Sequence, residues 1–182
     1  MLNSIKNPIY RMPAEWEKQK STWVAWPHNK ADWPKKFKFI PNIYAKIITQ
    51  ISKVQKINIL VQNKREEDEI KLILKKYPIN SRNIYFRICR TDRTWVRDSF
   101  PIFVKNKLKR KILLDWKFNG WAKYKNFKYD NNICSEIKKN LDLKVVQPSI
   151  KNRKIVLEGG SIDVNGKGAL ITTLECLQSK VQ

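Results

Sequence analysis

Between Asn42 and Pro78 the chain changes its hydrophobic period twice, and this switch narrows the available folds more than any other feature. Ile43, Ile47, Ile48, Ile51 and Val54 recur at helical spacing, which predicts an amphipathic helix over 42–54. Ile57 to Val61 is a compact β-branched run, the pattern of a buried strand. Glu66, Glu67, Asp68 and Glu69 then open a second helix, where acids favour the N-terminal dipole. Lys75 and Lys76 close it before Pro78. Helix, strand and helix in immediate succession point to an α/β or α+β architecture.

The remaining pattern fits that class. Ser21 to Trp26 reads as a strand running into the loop Pro27 to Pro34. Ile84 to Cys89, Ile102 to Val104 and Ile112 to Trp116 read as further strands. Asn131 to Leu141 reads as a third helix, with Ile133, Ile137 and Leu141 on one face. Short strands are expected at 144–146, 154–157, 161–164 and 169–172. Asn165-Gly166 signals a two-residue hairpin turn between the last two. Thr172 to Gln182 shows no closing helix, which would leave the last strand at an open edge. No linker or repeat divides the sequence, so residues 1–182 are expected to form one domain or one piece of a domain.

Bulk properties exclude several function classes. A net charge of +22 invites a nucleic-acid reading. The lysines, however, run along the whole chain without forming an arm or stripe, and no nucleic-acid motif accompanies them, so a general basic bias is the better account. Cys89, Cys134 and Cys176 are far apart and odd in number, against a disulfide framework or a zinc site. No apolar run approaches the roughly 20 residues of a membrane span, and the first residues have no signal-peptide core. A cytoplasmic protein without a membrane partner is expected.

Two short segments could carry chemistry. Arg90 to Asp98 interleaves Asp92 and Asp98 with Arg90, Arg93, Arg97 and Trp95. Such a mixture suits a planar cation, with carboxylates on its edge and a ring on its face. The structural alternative pairs Asp98 with Arg93 or Arg97 and buries Trp95. Asp92 could contact a ligand or, more simply, cap a turn. Further on, Glu158 ends an apolar run before Gly159 and Gly160. That acid could orient a histidine or accept a substrate N–H, or face a lysine, while the glycines could serve a positive-φ turn. Trp116, Trp121 and Tyr124 form an aromatic loop that could wall a slot or pack as core. His28 is the single histidine and sits in a Pro/Asn loop, where a hydrogen-bonded structural role is expected. None of the cysteines has an activating histidine near it in sequence.

At these residues the chain resembles the agmatine deiminases, also called Porphyromonas-type peptidyl-arginine deiminases. The matching segments are Arg11 to Trp16 with Thr22 to Asn29, Thr91 to Asp98 with Pro101, Asp115 to Tyr124, and Val156 to Leu177. The likeness runs along the whole chain but covers only the N-terminal half of a family member. It implies an incomplete pentein, a five-module α/β propeller of which only the leading modules are present. It also implies hydrolysis of a guanidine without a cofactor, as in conversion of agmatine to N-carbamoylputrescine and ammonia in polyamine metabolism. There a cysteine thiolate attacks the guanidinium carbon, ammonia leaves, and water resolves the adduct.

Carried over by position, Asp98 would bind the guanidinium. Glu158 would pair with the catalytic histidine and the substrate nitrogens. Trp95, Trp121 and, less directly, Trp26 would line the pocket, and Asp92 stays a candidate substrate contact on its own sequence reading. The nucleophilic cysteine and the His-x-Asp segment have no counterpart here, so the chain alone is expected to be inactive. The implied partner is a small guanidine, agmatine or peptidyl-arginine, and a separate second chain could supply the missing half. Departures from the family pattern are Ser99-Phe100-Pro101 in place of a Gly-Pro step, an Asn119–Tyr124 loop one glycine short, and Leu174 where an acid is usual. A non-catalytic guanidine or polyamine binder is the alternative, with a nucleic-acid-associated protein behind it.

Overall fold

Strand β1 (Ser21–Ala25), helix α1 (Ile40–Val54), β2 (Lys56–Val61), α2 (Lys64–Leu74) and β3 (Ile84–Ile88) alternate along the first half of the chain. In this computed structural model, which describes residues 10–180, the three strands form a parallel sheet in the order β1-β2-β3. Ser21 pairs with Lys56, and Ile57 pairs with Ile84. Parallel pairing requires a crossover between strands, and α1 and α2 supply the two needed here. Pro41 sits in the first turn of α1, where its missing N–H costs nothing. Asn63 caps α2 by accepting the Glu66 N–H at 2.9 Å, and Glu66 and Glu67 occupy its first turn.

The rest of the chain adds α3 (Val96–Ser99), β4 (Ile102–Lys105), β5 (Lys111–Leu114), α4 (Ile133–Ile137) and β6 (Lys144–Val146). β4 and β5 form an antiparallel hairpin, and β6 joins β5 in parallel. Two short antiparallel pairs follow, β7 (Ser149–Ile150) with β8 (Arg153–Lys154), and β9 (Asp163–Val164) with β10 (Leu170–Ile171). Helix α5 (Leu174–Gln178) comes last.

The apolar run of β2 is explained by cover on both faces. Ile57, Ile59 and Val61 pack with Trp26, Ala45, Ile48, Ile70 and Leu74 on the side of α1 and α2. Leu60 turns the other way, with Ala25, Cys89, Ile133 and Ile137, and Val96 and Phe100 pack against that second cluster. A parallel strand with two covered faces has no solvent side and so shows no polar alternation. Each fully buried aliphatic side chain contributes about 1.5–3 kcal/mol.

Several expectations need correction. The helix predicted over 131–141 is only Ile133–Ile137, flanked by 3-10 turns at Asp130–Asn132 and Lys138–Asn140. Trp116 lies beyond β5, and the strand expected at 154–157 is reduced to Lys154 and an isolated bridge from Val156 to Lys117. The last hairpin does not turn on two residues. Its connection runs over 165–169, where Asn165 Oδ1 accepts the N–H groups of Lys167 and Ala169, and Gly166 and Gly168 have φ of 69° and 111°. The segment after Thr172 does carry a helix, α5, capped by the Thr173 hydroxyl on the Cys176 N–H. The expectation there also took in Val181 and Gln182, which lie outside the described residues.

Candidate functional site

The loops that leave the carboxyl ends of β1, β2 and β3 lie side by side, the usual place for a ligand in an open parallel sheet. From β1 comes the segment through His28, Asn29, Asp32 and Trp33; from β2, Gln62; from β3, Arg90 to Asp98. Gln62 ties two of them together. Its Nε2 donates to Thr91 Oγ1 at 3.1 Å, and its Oε1 accepts the Thr91 N–H at 3.4 Å. Asn29 Nδ2 adds a bond to the Asp92 carbonyl at 3.1 Å. His28 is hydrogen-bonded through Nδ1 to the Trp26 carbonyl at 3.1 Å, as expected of a loop histidine.

The two acid-bearing segments meet. Asp98 lies on the single turn α3, and its carboxylate lies directly against Gly160. Arg97 fastens the same contact by donating from Nε to the Gly159 carbonyl at 3.1 Å, while its guanidinium pairs with Glu15. Asp98 is thus paired with neither Arg93 nor Arg97 by a salt bridge. Burial raises the pKa of Asp98, with the Gly160 N–H and the Arg97 charge pulling it back.

The reason for the double glycine also emerges. Neither Gly159 nor Gly160 has positive φ, so the turn does not need them for backbone conformation. A Cβ on Gly159 would collide with the Arg97 carbonyl, and one on Gly160 with the Asp98 carboxylate. The glycines permit close approach between two segments. Glu158 precedes them, almost fully buried, and its carbonyl accepts both the N–H and the hydroxyl of Ser161.

The aromatic candidates separate. Trp95 is half exposed and lies stacked on Trp33, with ring centroids 6.3 Å apart and planes 21° from parallel. Trp121 meets Phe118 and Tyr124 edge-on at 5.1 and 5.8 Å. Its loop is unusual, because Gly120, Trp121 and Ala122 all take left-handed φ of 67°, 57° and 53°. Two non-glycine residues there cost about 1–2 kcal/mol each. The Lys123 and Tyr124 N–H groups close the loop on the Gly120 carbonyl. Trp26, by contrast, is buried in the helix-side core against Tyr44. The Asp92 carboxylate accepts the Tyr129 N–H at 2.8 Å, which makes it a cap at the start of the Asp130–Asn132 turn.

Sequence reading missed Asp130, Asp32 and Arg93. Asp130 is almost fully buried and takes the N–H groups of Asp92 and Arg93 at 2.8 and 3.2 Å. Burial, only partly offset by those two bonds, lifts its pKa to about 6. Asp32 and Arg93 form a buried ion pair between the β1 and β3 loops. Only the position of Asp130 at the head of an apolar helical stripe hinted at such a role.

The chain is similar to known proteins over nearly its whole length. Residues 11–182 match the Porphyromonas-type peptidyl-arginine deiminase family. An agmatine deiminase of Ectopseudomonas mendocina is 30% identical over 176 residues, covering 94% of this chain and 45% of that protein. A Campylobacter jejuni agmatine deiminase variant solved with substrate bound superposes with a TM-score of 0.80 at 28% identity, covering 98% of this chain and 50% of that one. An agmatine deiminase of Enterococcus faecalis gives a TM-score of 0.80 at 27% identity over 95% of this chain and 46% of its own. The chain spans about half the length of the relatives it matches. Its fold is accordingly the leading part of a pentein. A family match over nearly the whole sequence, on a fold that brings the two acid-bearing motifs into contact, places this chain in the Porphyromonas-type peptidyl-arginine deiminase family.

Proposed function

We propose that residues 1–182 are the N-terminal part of a single deiminase domain that hydrolyses agmatine to N-carbamoylputrescine and ammonia. In this reading Asp98 holds the guanidinium edge. Glu158 accepts substrate N–H groups and partners a histidine supplied from outside these residues. Trp95 and Trp121 cover the faces of the planar cation, which carboxylates and rings together recognise. Asp92 and Trp26 support the site from behind, one as a cap and the other as core. The observation carrying the reading is the junction of Asp98 with the Glu158-Gly159-Gly160 turn, sixty-odd residues apart in sequence.

Two of the chain's three thiols, Cys89 and Cys134, are poor candidates for the nucleophile. Burial, the largest cause, pushes the Cys89 thiol up to about 11 and the Cys134 thiol up to about 12, so both stay neutral near pH 7. The neutral thiol is a poor nucleophile, while His28 meets the Trp26 carbonyl and the Gln62 amide. In this reading residues 1–182 alone bind agmatine without turning it over. A second chain of the family's C-terminal half would complete the site.

Calorimetric titration of the purified chain with agmatine tests this. Saturable binding that Asp98→Ala weakens at least tenfold, without ammonia release, is the expected result. Retention of full affinity by Asp98→Ala would overturn the assignment, and ammonia release by the chain alone would overturn the need for a second half. Because the pKa of Asp98 is raised, affinity should fall on acidification earlier than an ordinary aspartate would dictate.

A further inference from the structure

Between the loops that carry the stacked pair of Trp33 and Trp95, the side chain of Arg93 lies almost fully buried. Its Nη1 pairs with Asp32, whose side chain has no exposed surface. Its Nη2 donates to Asn126 Oδ1 at 3.0 Å, and its Cζ lies over the Tyr124 ring, 3.9 Å from the centroid. A carboxylate and an amide on the edge with a ring on the face make a complete recognition set for a guanidinium. The fit is nevertheless imperfect: Asp32 Oδ2 and Arg93 Nε are both buried without a hydrogen-bond partner.

The elements that build this set are those that wall the candidate site. Asp32 is the neighbour of Trp33, Arg93 is two residues before Trp95, and Tyr124 meets Trp121 edge-on. One buried cation thus joins the loop after β1, the loop after β3 and the left-handed loop at Gly120. Losing it would leave the Asp32 carboxylate buried and uncompensated, a costly state that the loops would relieve by moving apart.

We propose that Asp32, Tyr124 and Asn126 form a second guanidinium-binding cage, separate from the Asp98 and Glu158 site, in which Arg93 is a tethered ligand. Arg93 acts as a positioning residue that holds Trp33 against Trp95. Emptied of its tether, the cage accepts free guanidinium ion, which has the same planar donors and can turn to meet both oxygens of Asp32.

The test uses the full chain with Arg93→Ala and guanidinium chloride at concentrations well below denaturing. Trp33 and Trp95 are the one stacked tryptophan pair among the ring contacts of the described residues, so their exciton couplet in circular dichroism reports the stack. Arg93→Ala should lose the couplet, and guanidinium, but not equal sodium chloride, should restore most of it in a saturable manner. Trp33→Phe/Arg93→Ala should still bind guanidinium by calorimetry while showing no couplet. Asp32→Asn/Arg93→Ala should neither bind nor recover. If Arg93→Ala does not fold, Arg93→Lys, which keeps the charge but not the planar fork, should show a weakened couplet that guanidinium strengthens. A couplet unchanged in the Arg93 variants, or recovery equally produced by sodium chloride or without the Asp32 carboxylate, would overturn the proposal. These readouts do not depend on agmatine, so they stand or fall apart from the assignment of Asp98.

Discussion

The parallel sheet with α1 and α2 and the region beyond residue 106 are built on different principles. In the first, strands and helices follow hydrophobic period, and β2 is buried on both faces by residues whose type alone announces it. In the second, strands shrink to between two and four residues and the chain is held by particular contacts. Lys151 and Asn152 take φ of 47° and 62° to turn β7 into β8, and the Gly120 loop stacks three left-handed residues in succession. The sheet region is a scaffold that tolerates any well-packed apolar set. The second region has few interchangeable parts, and it contributes Glu158 and Trp121 to the candidate site.

This contrast can be broken by substitution. The largest effect is expected in the scaffold: Ile59→Ala, at a fully buried position, should destabilise the protein by about 2–5 kcal/mol in denaturant unfolding. Asp130 comes next. Its pKa is raised from 3.8 to about 6, so the folded state binds a proton that the unfolded state has lost between those values. Its contribution therefore favours folding at the acid end and is lost as pH rises through about 6, by up to about 3 kcal/mol. Subtracting the pH–stability curve of Asp130→Asn from that of the wild type should show that slope. A flat difference would mean that the site loop does not rest on a strained carboxyl.

Gly160→Ala should cost about 1–3 kcal/mol by overpacking against Asp98, and should weaken agmatine binding more than it lowers stability. An Ala variant that bound normally would show that the two acid motifs are not mutually fitted. The smallest effect has the opposite sign. Ala122→Gly should stabilise by about 0.5–1 kcal/mol in thermal unfolding, because Ala122 is held at a φ of 53°.

What was legible in the sequence follows the same division. β1, α1, β2, α2 and β3 were visible because burial there repeats at a fixed spacing. Asp98 and Glu158 stood out by their neighbours, yet their contact did not, since no local rule joins residues so far apart. The glycines at 159 and 160 were open to a turn reading and proved to be clearance for Arg97 and Asp98. Arg93 and Asp32 were hidden by their chemistry: in a sequence with 38 lysines and arginines, the one arginine caged in the interior looks like any other. Asp130 was masked in the same way by its polar neighbours Asn131 and Asn132.

The strand order β1-β2-β3 also bears on how quickly the protein reaches this state. Each parallel pairing closes a loop of about thirty residues before any strand contact is made. The β4–β5 hairpin closes over only a few residues. Hairpin contacts should therefore appear and vanish early, while the sheet whose carboxyl edge carries Asp32, Gln62 and Asp98 sets the pace of folding. Until α1 and α2 have both docked, the loops that must meet at the candidate site belong to chain segments still diffusing apart.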